Sequence, residues 1–154
     1  MKKINWKILI ISFTLVFLTA YFGSSVTNAN TSWYDSIKPA ITPPNIIFPI
    51  VWTILFILIA LSIYLAYTNS KTKKQKIKVR LVFISNLILN FLWSYLFFGN
   101  QNPKLAFIDI IALWLSIITM LLVVRKSSKT AFWMLIPYLL WVSFAIILNY
   151  LIIQ

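Results

Sequence analysis

The sequence predicts an all-α integral membrane protein, a single bundle of five transmembrane helices built from residues 1–154. Three observations predict it. First, 61% of the chain is apolar, and its charges are 14 Lys or Arg against 2 acids. Second, five apolar stretches approach the roughly 20 residues of helix that cross a bilayer core about 30 Å thick. They run over residues 8–26, 46–67, 81–98, 105–124 and 131–153. Third, these runs lack the alternation of a barrel strand. Backbone groups in hydrocarbon must be satisfied within the segment, so helices are selected.

The first span follows Lys2, Lys3 and Lys7 and ends near Thr27-Asn28-Ala29, an outline shared with secretory signal peptides. Its apolar run exceeds the usual h-region of roughly 7–15 residues, so a retained helix is expected. Ser12, Thr19 and Gly23 fall on one narrow stripe of it, suited to close helix packing. Before the second span, Thr42-Pro43-Pro44 reads as an N-cap followed by early-helix prolines. Pro49 and Pro137 lie further inside the second and fifth spans and predict kinks there. The third span follows a basic run from Lys71 to Arg80. The fourth carries Asp109 about one turn in, where the helix dipole and Lys104 favour an acid. The polar connection from Asn28 to Thr42 is the natural lid.

The basic residues orient the bundle. Lys2, Lys3 and Lys7, the Lys71–Arg80 run, and Arg125, Lys126 and Lys129 share one side if every segment crosses. The other side has Lys38 and Lys104, set against Asp35 and Asp109. Twelve against two predicts a cytoplasmic amino terminus and an external carboxyl terminus. No aromatic residue interleaves with the basic run, so it reads as an anchor on anionic headgroups and not as a nucleic-acid surface.

Composition removes much chemistry. The chain has no Cys and no His, which excludes thiol nucleophiles, imidazole bases and the usual zinc, iron–sulfur and histidine–haem ligand sets. Ion-coupled transport ordinarily uses ionisable groups within the membrane. Asp109 is the only candidate, and one group makes no relay. No metal and no organic cofactor is therefore expected.

Aromatic surface is abundant: seven Trp, seven Tyr and twelve Phe. Trp6 and Trp33 stand at span ends, where indoles favour the headgroup region. At about 100° per residue, Phe48, Trp52 and Phe56 share a face of the second helix. Asn86, Asn90, Trp93 and Phe97 share a face of the third, and Tyr138, Trp141, Ala145 and Asn149 a face of the fifth. Amides among aromatics should face the interior, because lipid leaves an amide unsatisfied. Two readings fit such faces: interhelical glue, or an aromatic-walled cavity with a few polar anchors for a rigid hydrophobic ligand.

Three separated motifs carry a resemblance. They are W-Y-D-S-I-K-P-A-I-T-P-P from Trp33 to Pro44 with F-P-I-V-W from Phe48 to Trp52; N-F-L-W-S from Asn90 to Ser94 with Phe97-Phe98-Gly99; and P-Y-L-L-W from Pro137 to Trp141 with Phe144-Ala145 and Leu148-Asn149. In order and over nearly the whole chain, these residues resemble the TspO/MBR family of tryptophan-rich sensory and translocator proteins, which includes the peripheral benzodiazepine receptor. The resemblance implies a five-helix protein, often a homodimer, whose cavity opens toward the first loop. It implies ligands such as protoporphyrin IX and benzodiazepine-receptor-type drugs. Carried to matching positions, the pocket comprises Tyr34, Pro44, Trp52, Asn90, Trp93, Trp141 and Ala145, and the helical faces add Phe48 and Tyr138. The basic residue that a sterol-recognition pattern needs after its Tyr is missing, since Tyr150 is followed by Leu-Ile-Ile-Gln.

Two functions follow from the resemblance. One is a tetrapyrrole receptor or sensor in a bacterial cell membrane, in which Trp52 and Trp141 would act catalytically in light-driven oxidative breakdown of the bound porphyrin. The other is a transmembrane transporter of porphyrins or similar amphiphiles.

Overall fold

The structure is a computed structural model that describes residues 4–154; Lys2 and Lys3 of the first basic cluster lie outside the described residues. Helix α1 covers Trp6–Val26, α2 Ser32–Ile37, α3 Ile47–Thr68, α4 Lys73–Ser94, α5 Pro103–Val124 and α6 Lys129–Ile153. A π-helical turn, Tyr95–Gly99, continues α4. Every described element is a helix, and five helices are long and apolar enough to cross a membrane, counting α4 with its π turn as one. This is a multi-pass membrane protein.

The long helices close a ring. α1 packs on α3, α3 on α6, α6 on α5, α5 on α4, and α4 back on α1. The main apolar core lies toward the end that carries the basic loops. Val16, Ile59, Val79, Phe83, Ile117, Met120, Val124 and Leu135 are buried there in one cluster. Lipid-facing residues such as Ile10, Leu18, Ile54, Ile88, Ile108 and Leu140 stay exposed on the outside, as expected where hydrocarbon is the solvent.

Several local expectations change. The third span begins well before residue 81, because Lys73–Arg80 is already helical. Thr72 and Gln75 form a capping box: Gln75 N–H donates to Thr72 Oγ1 at 3.1 Å, and Thr72 N–H donates to Gln75 Oε1 at 3.2 Å. Counting apolar residues misses this start because the first two turns are charged and capped by polar pairing. Thr42-Pro43-Pro44 is not an N-cap; α3 starts three residues after Pro44, and the Ile47 N–H donates to the Pro44 carbonyl at 2.9 Å. Pro49 therefore occupies the third position of α3, where the missing N–H is one the helix leaves unpaired, and no kink is called for. Pro137 does lie inside α6. It withdraws the N–H that the Trp133 carbonyl would otherwise accept from.

Asp109 also differs from expectation. Among the described residues the only ion pair is Lys38 with Asp35, so Lys104 does not pair with Asp109. Asp109 lies nearly two turns into α5, is buried, and its Oδ2 has no hydrogen-bond partner. α5 starts two residues earlier than its apolar run because Asn102 Oδ1 accepts from the Leu105 N–H at 3.1 Å and Pro103 takes the first helical position.

Candidate functional site

The end of the bundle away from the basic loops is hollow. A cavity of about 390 Å³ lies inside the ring, within the usual range of roughly 300–1,000 Å³ for small-molecule sites. α3 presents Phe48, Pro49, Trp52 and Phe56; α4 with its π turn presents Asn90, Trp93, Ser94, Phe97 and Phe98. α5 supplies Ile110 and Leu113, and α6 supplies Trp141, Val142, Ala145, Leu148, Asn149 and Ile152. α1 closes the last side with Thr19, Ala20, Gly23, Ser24 and Thr27.

Of the nine residues the sequence singled out for ligand contact, the structure brings Tyr34, Phe48, Trp52, Asn90, Trp93, Trp141 and Ala145 to this one wall. Tyr138 lies beneath it, fully buried. Pro44 is elsewhere, in a shallower recess beside Asp35, Lys38 and Thr42. The small-residue stripe of α1 has two surroundings: Ser12 is buried and a Cβ added at Gly23 would meet Ser94 Oγ at van der Waals distance, 3.7 Å, while Thr19 and Gly23 also border the cavity. Small residues on that face widen the cavity. Their spacing was visible in the sequence, but no spacing distinguishes a tight crossing from an open one.

The floor is a directional hydrogen-bond chain. The Asn90 amide donates to the Tyr138 hydroxyl at 3.2 Å, and that hydroxyl donates to Asn86 Oδ1 at 3.2 Å. The Asn86 amide donates to Ser116 Oγ at 2.7 Å, and Ser116 donates to the Leu113 carbonyl at 2.6 Å. Each buried polar group is thus satisfied by the next, which hydrocarbon demands. A second link ties three helices: Trp93 Nε1–H donates to Asn149 Oδ1 at 3.1 Å, while the Asn149 amide donates to the Pro103 carbonyl at 2.9 Å.

The indoles divide into two kinds. Trp93 and Trp114 spend their N–H on Asn149 and Ser143. Trp52 and Trp141 make no hydrogen bond within the described protein and keep their contacts to rings. Trp52 leans on Phe56 and on Tyr138, with centroids 5.3 and 6.1 Å away. Trp141 meets Phe48 edge-on at 5.8 Å and Phe144 at 5.8 Å. These two cavity-wall indoles retain a free donor for a ligand.

The mouth is covered by α2. Thr31 Oγ1 caps it by accepting from the Tyr34 N–H at 3.2 Å. Tyr34 is buried against Phe98 and Phe97, at 5.5 and 6.2 Å, and Trp33 packs on Phe97 at 5.7 Å. Trp33 therefore anchors α2 to the bundle and is not simply a headgroup-level indole. The π turn widens the helix so that consecutive Phe97 and Phe98 both reach the cavity. Gln101, at φ 48°, then turns the chain toward α5. Burial, with Asp35 adjacent, holds the Tyr34 hydroxyl above its ordinary pKa. Asn45 fastens the rim, its amide reaching the Ala29 carbonyl at 3.2 Å and Asn30 Oδ1 at 3.1 Å.

Fold and cavity together define a class: a polytopic membrane protein of five helices that keeps an indole-walled chamber at one end under a short Trp-Tyr helix. The chain belongs to the TspO/MBR family, which it matches over residues 10–154. It is 40% identical to the tryptophan-rich protein TspO of Chlorobaculum tepidum over 143 residues, covering 91% of this chain and 90% of that one. It is 39% identical to the protein of the same name from Archaeoglobus fulgidus, covering 94% of each. Similarity extends to the translocator protein of Ovis aries, 32% identical over 77% of this chain and 71% of that protein.

Proposed function

We propose that this protein is a membrane receptor for a planar tetrapyrrole such as protoporphyrin IX, held in the α3–α4–α6 cavity and open to slow light-driven oxidation there. The observation that carries the reading is the pair Trp52 and Trp141: two electron-rich indoles on one cavity wall, each with an uncommitted N–H. A flat apolar ligand gains from offset or edge contact with such rings, and Asn90 and the free indole donors supply the few polar anchors that fix its orientation. Benzodiazepine-receptor-type drugs suit the same wall. The bundle sits in a bacterial cell membrane with the basic end cytoplasmic, as a homodimer, so the cavity faces outward.

Burial of Ile59, Phe83, Met120 and Leu135 in the core below the Asn90–Tyr138–Asn86 layer favours a receptor over a transporter, because an amphiphile moving through the bundle would have to displace them. Titration of the detergent-purified protein with protoporphyrin IX in the dark tests binding through quenching of tryptophan fluorescence. Illumination of the complex then tests for loss of porphyrin absorbance. Absence of saturable quenching sinks the reading; protein-dependent porphyrin flux across liposomes would instead establish the transporter.

A further inference from the structure

Asn45 stands between two spaces. That residue lines the main chamber and also a shallower recess formed by Asp35, Lys38, Pro39, Thr42, Pro44 and Asn45. Near Asn45, consecutive residues of α2 serve the two spaces, Tyr34 lining the chamber and Asp35 the recess. Their chemistry is opposite. The chamber is lined by rings, aliphatic side chains and neutral polar groups such as Asn90, Ser94 and Asn149, with no charge, whereas the recess holds Lys38, the only cation lining either space.

Two groups of the recess lack a strong partner. Lys38 is held by Asp35 one turn away, with both side chains substantially exposed. Such a pair is weak in water and opens at little cost. The Lys38 ammonium is a mobile point charge on a four-carbon stem and can turn to another carboxylate. Thr42 Oγ1 is buried and has no hydrogen-bond partner among the described residues, so its hydroxyl has a donor to give. A buried polar atom left unpaired is costly, and a bound acceptor relieves that cost.

Resting on the tetrapyrrole reading, we propose that the recess is an anion subsite: Lys38 and Thr42 take a ligand carboxylate while the flat apolar body lies against Trp52 and Trp141. The protein then selects acidic amphiphiles over neutral ones of the same shape. Asp35 is the competitor, holding Lys38 until a ligand carboxylate replaces it.

The test compares protoporphyrin IX with its dimethyl ester, which keeps the macrocycle and removes both negative charges. Each is titrated in the dark against the full chain in neutral detergent at low ionic strength. The free acid should bind roughly tenfold more tightly than the ester, the size of one charge-assisted hydrogen bond. Lys38→Gln should lower affinity for the acid by about that factor and leave the ester unchanged. Asp35→Asn should raise affinity for the acid, a gain that a damaged fold cannot produce. Equal affinity for acid and ester, or an equal loss of both in Lys38→Gln, overturns the subsite while the tetrapyrrole reading stands. Binding of neither form removes that reading, and the subsite with it.

Discussion

The Asn90 side-chain amide donates to the Tyr138 hydroxyl across 3.2 Å, joining a cavity-wall residue of α4 to a fully buried residue of α6. Tyr138 passes the bond on to Asn86, so one phenol orients the amide that a ligand meets. Tyr138→Phe keeps the ring against Trp52 but leaves Asn90 and Asn86 each short of a partner. The thermal midpoint in detergent should fall by an amount equivalent to about 1–3 kcal/mol. An unchanged midpoint would mean that water replaces the hydroxyl.

Trp52→Phe and Trp141→Phe should separate binding from photochemistry. Either change preserves a flat apolar wall, so dark affinity for protoporphyrin IX should weaken by no more than about 1–2 kcal/mol. Light-driven loss of porphyrin absorbance should drop much further, because a phenyl ring is far harder to oxidise than an indole. Asn90→Ala should do the reverse, lowering affinity while the bound ligand reacts at the same rate. Full photoreaction in both Trp variants would reduce the indoles to wall.

Docking of α2 should be sensitive to alkali. The Tyr34 hydroxyl is held above its ordinary pKa of 10.0 by burial and then by Asp35, so the docked state favours the neutral phenol. Its contribution is complete below pH 10 and declines as pH rises from there through the raised value. Cleavage of the 28–42 connection by an alkali-tolerant protease should therefore accelerate above pH 10. Tyr34→Phe should remove that part of the dependence. Saturating ligand should slow cleavage at neutral pH, and equal rates with and without it would eliminate the lid.

Asp109→Asn is expected to leave ligand affinity within a few-fold and the thermal midpoint no lower. The native carboxyl is buried with an unpartnered oxygen and has no ion pair, so the neutral isostere gives up nothing visible. Complete loss of binding in a folded variant would assign the acid a direct role.

Topology is open to a direct check. Reporter fusions in the 28–42 connection and after Gln154 should both read external, and fusions between Thr68 and Lys73 should read cytoplasmic. The opposite pattern would invert the bundle despite its basic loops.

The sequence by itself determined the class, the number of spans and most of the cavity wall. Hydrocarbon admits only runs long enough to satisfy their own backbone, so the five segments are visible as composition. Asn90 with Trp93, and Trp141 with Ala145, already shared a helical face because the α-helical period is a local property. What only the tertiary structure decided is how those faces meet. Thr19 and Gly23 proved to border an open space, and Tyr138 fell below the wall while Trp141, one turn on, stayed in it. Pro44 went to the recess with Lys38, and α3 starts at Ile47, four residues later than an N-cap at Thr42 suggested. Periodicity fixes the direction in which a side chain leaves its own helix; the distance to the next helix depends on the sizes of residues on all five, and that sum is settled only when the ring closes.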